Sequence, residues 1–134
     1  SDISDADAIR ELGEGWVAEE TWAIALYCAI RHINCVEDAI ISSVNHNGDS
    51  DSTGSVCGNI MGAIYGYDHI KERNIFCPEG KQLEDTLELS EIILALADDL
   101  STGCIISEYE PIDTPEKQQW YERYCEMKPV GIGN

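Results

Sequence analysis

Residues 53–67 read TGSVCGNIMGAIYGY, and the spacing of small and apolar residues in this segment decides the predicted fold. Glycine recurs at every fourth position, at Gly54, Gly58, Gly62 and Gly66. In an α-helix this spacing places the glycines along one face, although each glycine costs about 1 kcal/mol relative to alanine. We therefore expect a helix at the centre of the fold, where the glycine face lets another helix pack very closely.

Apolar periodicity predicts a second buried helix N-terminal to this one. Residues 17–32 read VAEETWAIALYCAIRH, and an apolar stripe that includes Trp22, Leu26 and Ala29 should be buried on most sides of the helix. Two acidic residues, Glu19 and Glu20, fall in its first turn, where the helix dipole favours negative charge.

The remaining pattern is also helical. Thr114 is suited to cap a last helix with Pro115 at its first position. The other helices are expected over residues 6–12, 35–44, 83–100 and 115–127. No segment convincingly predicts a sheet. The predicted fold class is all-α, a compact bundle of five or six helices that forms a single domain over residues 1–134.

Composition and charge exclude some classes of partner. The chain has 134 residues, 43% of them hydrophobic, which is ordinary for a globular protein. Its formal net charge of −18 argues against nucleic acid and against an anionic membrane surface, since both require basic patches. An acidic protein is suited to binding cations. The glycine-rich segment is too short and too polar to be a membrane helix.

The cysteines and the absence of a targeting signal indicate a cytoplasmic protein. The chain has six cysteines and no CxxC pair, and Cys28, Cys57 and Cys104 lie within apolar patterns, where cysteine acts as a small hydrophobic residue. We expect the thiols to be reduced. No apolar run reaches the length of a membrane span, and no signal peptide opens the sequence.

An acidic segment precedes the glycine-rich helix, and its residues are suited to bind a metal ion. Residues 45–54 read NHNGDSDSTG. Asp49 and Asp51 are hard oxygen donors on alternate residues, and Ser52 and Thr53 add hydroxyl oxygens. A site made only of oxygen atoms suits Mg²⁺, Mn²⁺ or Ca²⁺ rather than zinc. The N–H groups at the start of the following helix could also bind an anion.

Three other interpretations of the segment are open. An EF-hand loop beginning at Asp49 would need a bidentate glutamate at its twelfth position, where Ile60 stands. A DxDxT phosphotransferase with Asp49 as nucleophile would need a strand directly before that aspartate and a parallel sheet. The segment could also be a solvated acidic cap of the next helix.

A longer series of segments resembles the C-terminal part of the ADP-ribosylglycohydrolase family, which includes the dinitrogenase reductase-activating glycohydrolase. The resemblance runs over about residues 8–67 with the order and spacing of the family. The matching segments are GWVAEE (residues 15–20), DAI (38–40), GDSDST (48–53) and GNIMGA (58–63).

The resemblance implies a metal-dependent hydrolase. Proteins of this family are all-α, bind two Mg²⁺ ions (Mn²⁺ in some cases) and hydrolyse the glycosidic bond of ADP-ribosylated side chains or related conjugates. Asp49, Asp51 and Ser52 match the metal-binding GDxDT segment of the family, with Asp51 as the bridging carboxylate and Ser52 in the place of threonine. Gly15 and Trp16 match a segment that lines the ADP-ribose cleft. A glycine helix break with Trp16 in the core is the alternative.

The sequence also departs from the family pattern. It has no Thr-Asp-Asp motif, and the catalytic acid of the family is expected in an N-terminal half that has no match here. The chain thus resembles the C-terminal part alone, and its catalytic residues stay unknown. Two hypotheses follow: part of a hydrolase acting on an ADP-ribosyl substrate, inactive alone, or a non-catalytic helical module. The loss of half a bundle should expose apolar helix faces, so we expect a homo-oligomer or association with the missing N-terminal half.

Overall fold

The computed structural model describes residues 3–73, 77–103 and 111–125 of the 134-residue chain. Within these ranges it contains eight helices and no β-strand. They are α1 (Asp5–Leu12), α2 (Ala18–Arg31), α3 (Val36–Val44), α4 (Ser50–Tyr65), α5 (Tyr67–Arg73), α6 (Leu83–Thr86), α7 (Ser90–Ser101) and α8 (Pro115–Cys125). This architecture confirms the all-α fold class. None of the described helices is long and apolar enough to cross a membrane.

The prediction of five or six helices is too low, because short helices were missed and one long helix is interrupted. α5 and α6 have only 7 and 4 residues. The segment predicted as one helix over residues 83–100 breaks at Leu89, whose φ of 58° is left-handed and incompatible with a continuing α-helix. The chain divides into two compact units, residues 1–83 and 84–134. The single-domain organisation stays a prediction.

Helix α4 lies at the centre of the first unit, as its glycine spacing predicts. It packs against both α2 and α3. The core between these helices is made of fully buried side chains, namely Ile24, Ala25, Cys28, Ala39, Cys57 and Met61. The prediction for α2 is wrong at Trp22, which is 55% exposed rather than part of the buried stripe. The buried face of α2 is therefore narrower than its apolar residues indicate.

The glycine face of α4 allows close packing at one end only. A Cβ atom at Gly54 would lie 2.5 Å from Cγ1 of Val44 in α3. At Gly58 the nearest side-chain atom would be at an ordinary contact distance of 3.7 Å. At Gly62 no described atom lies within 4 Å, and Gly66, with a φ of 79°, ends the helix. The glycine spacing thus reflects one tight contact and a helix end.

A carboxylate of helix α1 makes hydrogen bonds to other helices of the first unit. Asp5 accepts hydrogen bonds from the Tyr27 hydroxyl (3.1 Å) and the Ser42 hydroxyl (3.0 Å), and its Oδ2 lies 2.6 Å from Nε2 of His32. Burial acts to raise the pKa of Asp5, but the hydrogen bonds with His32, Ser42 and Tyr27 together outweigh it and lower the pKa. The first helix is therefore joined to α3 and to the C-terminal half of α2.

In the second unit, α7 and α8 are joined through Asp99. This carboxylate accepts hydrogen bonds from Nη1 of Arg123 (2.5 Å) and the Tyr124 hydroxyl (2.6 Å). The pKa of Asp99 is lowered, mainly by the hydrogen bond from Tyr124 and to a smaller extent by the charge of Arg123. Thr114 caps α8 as predicted, since its Oγ1 accepts a bond from the Lys117 amide (3.2 Å). The predicted last residues of this helix, 126–127, lie outside the described residues.

The four cysteines whose side chains are described are free thiols. Cys28 and Cys57 are buried in the core, as their apolar context predicts, whereas Cys35 and Cys77 are half-buried. Burial raises the pKa of Cys28 to about 11. Because the thiolate is the reactive form, this cysteine is a packing residue and not a nucleophile. Cys104 lies outside the described residues.

Two glycine-to-alanine substitutions should separate close packing from helix propensity in α4. We expect Gly62→Ala to stabilise the fold by about 1 kcal/mol, because the added methyl group meets open space and alanine favours the helix. We expect Gly54→Ala to be less stable than Gly62→Ala by ~1–3 kcal/mol, since Val44 must move aside. Urea unfolding of both variants measures the difference, and equal free energies of unfolding would contradict the close contact with α3.

Candidate functional site

The three predicted metal-binding residues lie at the start of α4. Asp49 is the N-cap residue, and Asp51 and Ser52 occupy the first turn, because α4 begins at Ser50 and not at residue 53 as predicted. Serine and aspartate resemble loop residues in a sequence, but both are also favoured at the start of a helix. Asp51 is exposed, and Asp49 and Ser52 are half-buried. The acidic segment is therefore a short loop that passes directly into a helix.

The structure brings these three side chains together. Hydrogen bonding with the Asp51 carboxyl is the largest influence on the pKa of Asp49, followed by hydrogen bonding with the Ser52 hydroxyl, and together they lower it. When both carboxyls are ionised, two negative charges face each other across a short distance. The dipole of α4 offsets part of this repulsion at its N-terminus, and a divalent cation would offset more of it.

The donor set is only part of a metal site. The described residues contain no group of three or more His, Cys, Asp or Glu side chains that could hold a metal ion. Two carboxylates and a hydroxyl fit the oxygen preference of Mg²⁺, but Mg²⁺ requires nearly ideal octahedral coordination. Among the described residues, Asp49, Asp51 and Ser52 thus supply three side-chain donors at this place, and the remaining positions need water, substrate or other donors.

Gly15 lies against the start of α4, so the loop before α2 and the acidic segment meet in the structure. Gly15 is buried, has a φ of 81°, and a Cβ atom there would lie 3.0 Å from Cγ2 of Thr53 and 3.4 Å from the Asp49 carbonyl oxygen. One residue earlier, the Glu14 carbonyl accepts a hydrogen bond of 2.7 Å from the Asp49 amide. Gly48 touches the same carbonyl so closely that a Cβ atom would overlap it.

Trp16 does not enter the core. Its side chain is 66% exposed, and its indole Nε1 donates a hydrogen bond to the Glu14 carboxylate at 3.2 Å. The alternative that placed Trp16 in the hydrophobic core is wrong. Its exposure beside the acidic loop leaves the ring accessible to a ligand, but its role in substrate binding stays a prediction.

Two residues that were not predicted to have a role in the site, Glu20 and Thr21, hold the glycine loop in place. The Glu20 carboxylate accepts hydrogen bonds from the amides of Glu14 (3.1 Å) and Gly15 (3.0 Å). The Thr21 hydroxyl donates to the Gly15 carbonyl at 2.7 Å. In the sequence, Glu19 and Glu20 are equivalent first-turn acids. Only the path of the loop distinguishes them, and that path is a tertiary feature.

A groove passes beside the acidic side chains, between the N-terminal turns of α2 and α4. It is open to solvent and has a volume of about 690 Å³. Its lining residues are Ala18, Thr21, Trp22, Asp51, Ser52, Ser55 and Val56. Trp22, which sequence periodicity assigned to the core, is exposed because it faces this groove. Its ring forms an aromatic wall next to the predicted metal-binding residues Asp51 and Ser52.

Sequence comparison agrees with the resemblance. The chain belongs to the ADP-ribosylglycohydrolase family, whose sequence profile matches residues 2–107. Among its relatives is the ADP-ribosylhydrolase ARH3 of Homo sapiens, which is 30% identical over 98 residues that cover 66% of this chain and 27% of the human protein. ARH3 of Mus musculus is also 30% identical, over 66% of this chain and 26% of the mouse protein.

The similarity extends to ARH3 of Bos taurus, which is 28% identical over 98 residues. The chain spans about a quarter of the length of these curated relatives. No solved structure matches the chain.

Removing the Glu20 carboxylate should loosen the glycine loop. We expect Glu20→Ala to destabilise the fold by ~1–3 kcal/mol, because the buried Gly15 amide loses its hydrogen-bond partner. Glu19→Ala is the matched control, since Glu19 lies exposed in the same helical turn with the same charge. Urea unfolding and amide hydrogen exchange at Gly15 measure the effect. Identical behaviour of the two variants would show that Glu20 acts only on the helix dipole.

Proposed function

We propose that this chain supplies one half of a two-Mg²⁺ centre in an enzyme that hydrolyses the glycosidic bond of ADP-ribosylated side chains or related conjugates. The observation that carries the proposal is the convergence of Asp49, Asp51 and Ser52 at the start of α4, beside the loop that holds Gly15. Family membership supports the reaction class. The name of the ARH3 relatives supports an ADP-ribosyl substrate.

The three side chains would act as ligands of the ions. Asp51 is the exposed carboxylate that borders the groove, which suits the bridging position. Asp49 and Ser52 would contribute one oxygen donor each from the same helical turn. Bound Mg²⁺ or Mn²⁺ would polarise a water molecule and orient hydroxyl groups of the substrate. The groove beside Asp51 would receive the ribose, and the Trp22 ring would form one of its walls.

The proposed centre needs donors beyond Asp49, Asp51 and Ser52. Three side-chain oxygens fill half of one octahedral shell, and the carboxylic acid that assists bond cleavage in the family has no match in this sequence. We therefore expect this chain alone to bind Mg²⁺ weakly and to leave ADP-ribosyl-arginine uncleaved. A cytoplasmic location is part of the same proposal, since free thiols suit a reducing compartment.

Calorimetric titration with Mg²⁺ and Mn²⁺ tests the ligand assignment. We expect weak binding by the unmodified chain and a loss of more than about tenfold in affinity for both Asp49→Ala and Asp51→Ala, because each removes a charged ligand. Asp38→Ala is the control, since Asp38 is an exposed acid in the first turn of α3. Equal losses in all three variants would indicate a general charge effect and contradict the site. Cleavage of ADP-ribosyl-arginine by this chain alone would overturn the proposal that it supplies only one half of the metal centre.

A self-associating helical module is the second candidate function. Large apolar side chains are exposed around the N-terminus of α2, where Trp16 is 66%, Val17 52% and Trp22 55% accessible. Burying an apolar surface of this kind would favour an oligomer, while the net charge of −18 opposes it.

Light scattering coupled to size-exclusion chromatography tests self-association. We expect a dimer or higher oligomer whose population increases with salt, because added ions screen the repulsion between the acidic chains. Trp22→Ser should reduce the oligomer. A monomer at all salt concentrations would exclude this candidate function and leave the hydrolase proposal standing.

A further inference from the structure

We propose that His46 is a positioning residue that holds the acidic loop at both of its ends, Gly48 and Thr53. In this role the imidazole is the neutral tautomer that carries its proton on Nε2. This role rests on the proposed function, because it matters for catalysis only if Asp49, Asp51 and Ser52 bind metal ions. The evidence is the geometry of the imidazole ring. Its Nδ1 lies 3.1 Å from the Gly48 amide nitrogen, and its Nε2 lies 2.9 Å from the Thr53 hydroxyl oxygen.

The hydrogen bond from Gly48 decides the state of Nδ1. A backbone amide can only donate, so Nδ1 must present a lone pair and cannot carry a proton. A neutral histidine with an unprotonated Nδ1 carries its proton on Nε2. The loop geometry therefore selects a single tautomer of His46.

The hydrogen bonds of Thr53 agree with this tautomer. The single hydroxyl proton of Thr53 has its shortest contact with the Ser43 carbonyl at 2.7 Å, and the Asp49 and Ser50 carbonyls lie farther away at 3.1 and 3.2 Å. With its proton directed to Ser43, the Thr53 oxygen has lone pairs left to accept from Nε2–H of His46. Thr53 is completely buried, so an unsatisfied polar contact at this place would be unfavourable.

The two contacts enclose the predicted ligands. Gly48 directly precedes Asp49, and Thr53 directly follows Ser52, so the ring bridges the two ends of the segment that carries the proposed metal-binding residues. On its other side the segment is held by the hydrogen bond from the Asp49 amide to the Glu14 carbonyl. Because both ring nitrogens are engaged, His46 has no free nitrogen to bind a metal ion or transfer a proton. It acts through the loop.

Nuclear magnetic resonance of the unmodified chain tests the tautomer without metal. Long-range ¹H–¹⁵N spectra at neutral pH should give a protonated Nε2 and an unprotonated Nδ1 for His46. A proton on Nδ1, either alone or together with one on Nε2, would overturn the proposal, even if the variants described next failed to fold.

Three substitutions of His46 test its contact with Gly48 separately from its contact with Thr53. His46→Asn retains an acceptor near the position of Nδ1 and should keep the Gly48 amide protected from hydrogen exchange. His46→Gln can place an amide N–H near the position of Nε2 but loses that acceptor, and His46→Ala loses both contacts. We expect faster exchange at Gly48 in His46→Gln and His46→Ala, with α4 amides after Thr53 unchanged in His46→Gln.

His69→Asn is the control, since His69 stacks on Tyr65 at the far end of α4. Unchanged exchange at Gly48 in His46→Ala, or a uniform increase along α4 in His46→Gln, would overturn the role.

Paramagnetic broadening by Mn²⁺ distinguishes this inference from the proposed function. If the metal site exists, Mn²⁺ should broaden the amide signals of residues 49–52 first, and His46→Ala should weaken Mn²⁺ binding by at least about tenfold, as the loss of a residue that orients metal ligands does. If Mn²⁺ leaves those signals of the unmodified chain unchanged, the proposed function fails, while the tautomer and exchange results still decide how His46 holds the loop. Broadening that is equal in the unmodified chain and in His46→Ala would overturn the positioning role alone.

Discussion

The contact between the Glu14 carbonyl and the Gly48–Asp49 peptide is the constraint on which the candidate site depends. The hydrogen bond of 2.7 Å from the Asp49 amide joins the loop before α2 to the loop before α4. The two loops could not move apart without losing this bond. They approach so closely that a side chain at Gly48 would collide with Glu14. Glu20 and Thr21 fix the first loop, and His46 and Thr53 fix the second. Each loop is thus held by side chains near it, and the joined pair places the acidic residues beside the groove.

The packing of the core in the first unit brings the two joined loops together. Helices α2, α3 and α4 pack through small buried side chains such as Ala25, Ala39 and Cys57, which lets the helices come close together. The N-termini of α2 and α4 then lie side by side, and the loops that lead into them meet. A bundle with bulkier residues at these positions would separate the helix starts and open the junction between the two loops. Packing in the core therefore sets the distance between Gly15 and Asp49.

The sequence allowed the all-α fold class to be predicted, but not the contact between the two loop segments or the other details that depend on tertiary structure. The apolar and glycine periodicity correctly indicated a central α4. Periodicity could not show that Trp22 faces a groove, because an aromatic residue on an apolar stripe has the same pattern in a core and in a cleft. Glu20 was indistinguishable from Glu19 because both suit the helix dipole. The start of α4 was misplaced by three residues since serine and aspartate are common in loops and in first turns alike.

The two substituents on the β-carbon of Thr53 face different parts of the site. Its Cγ2 methyl group lies against Gly15, while its Oγ1 hydroxyl meets His46 and the Ser43 carbonyl. Serine would keep the hydroxyl but leave a gap against Gly15, and valine would fill the gap but leave His46 and Ser43 without their partner. The arrangement of both loops around α4 is therefore matched to the chirality of a single carbon atom. Among the common amino acids, only threonine carries a methyl group and a hydroxyl group on that atom.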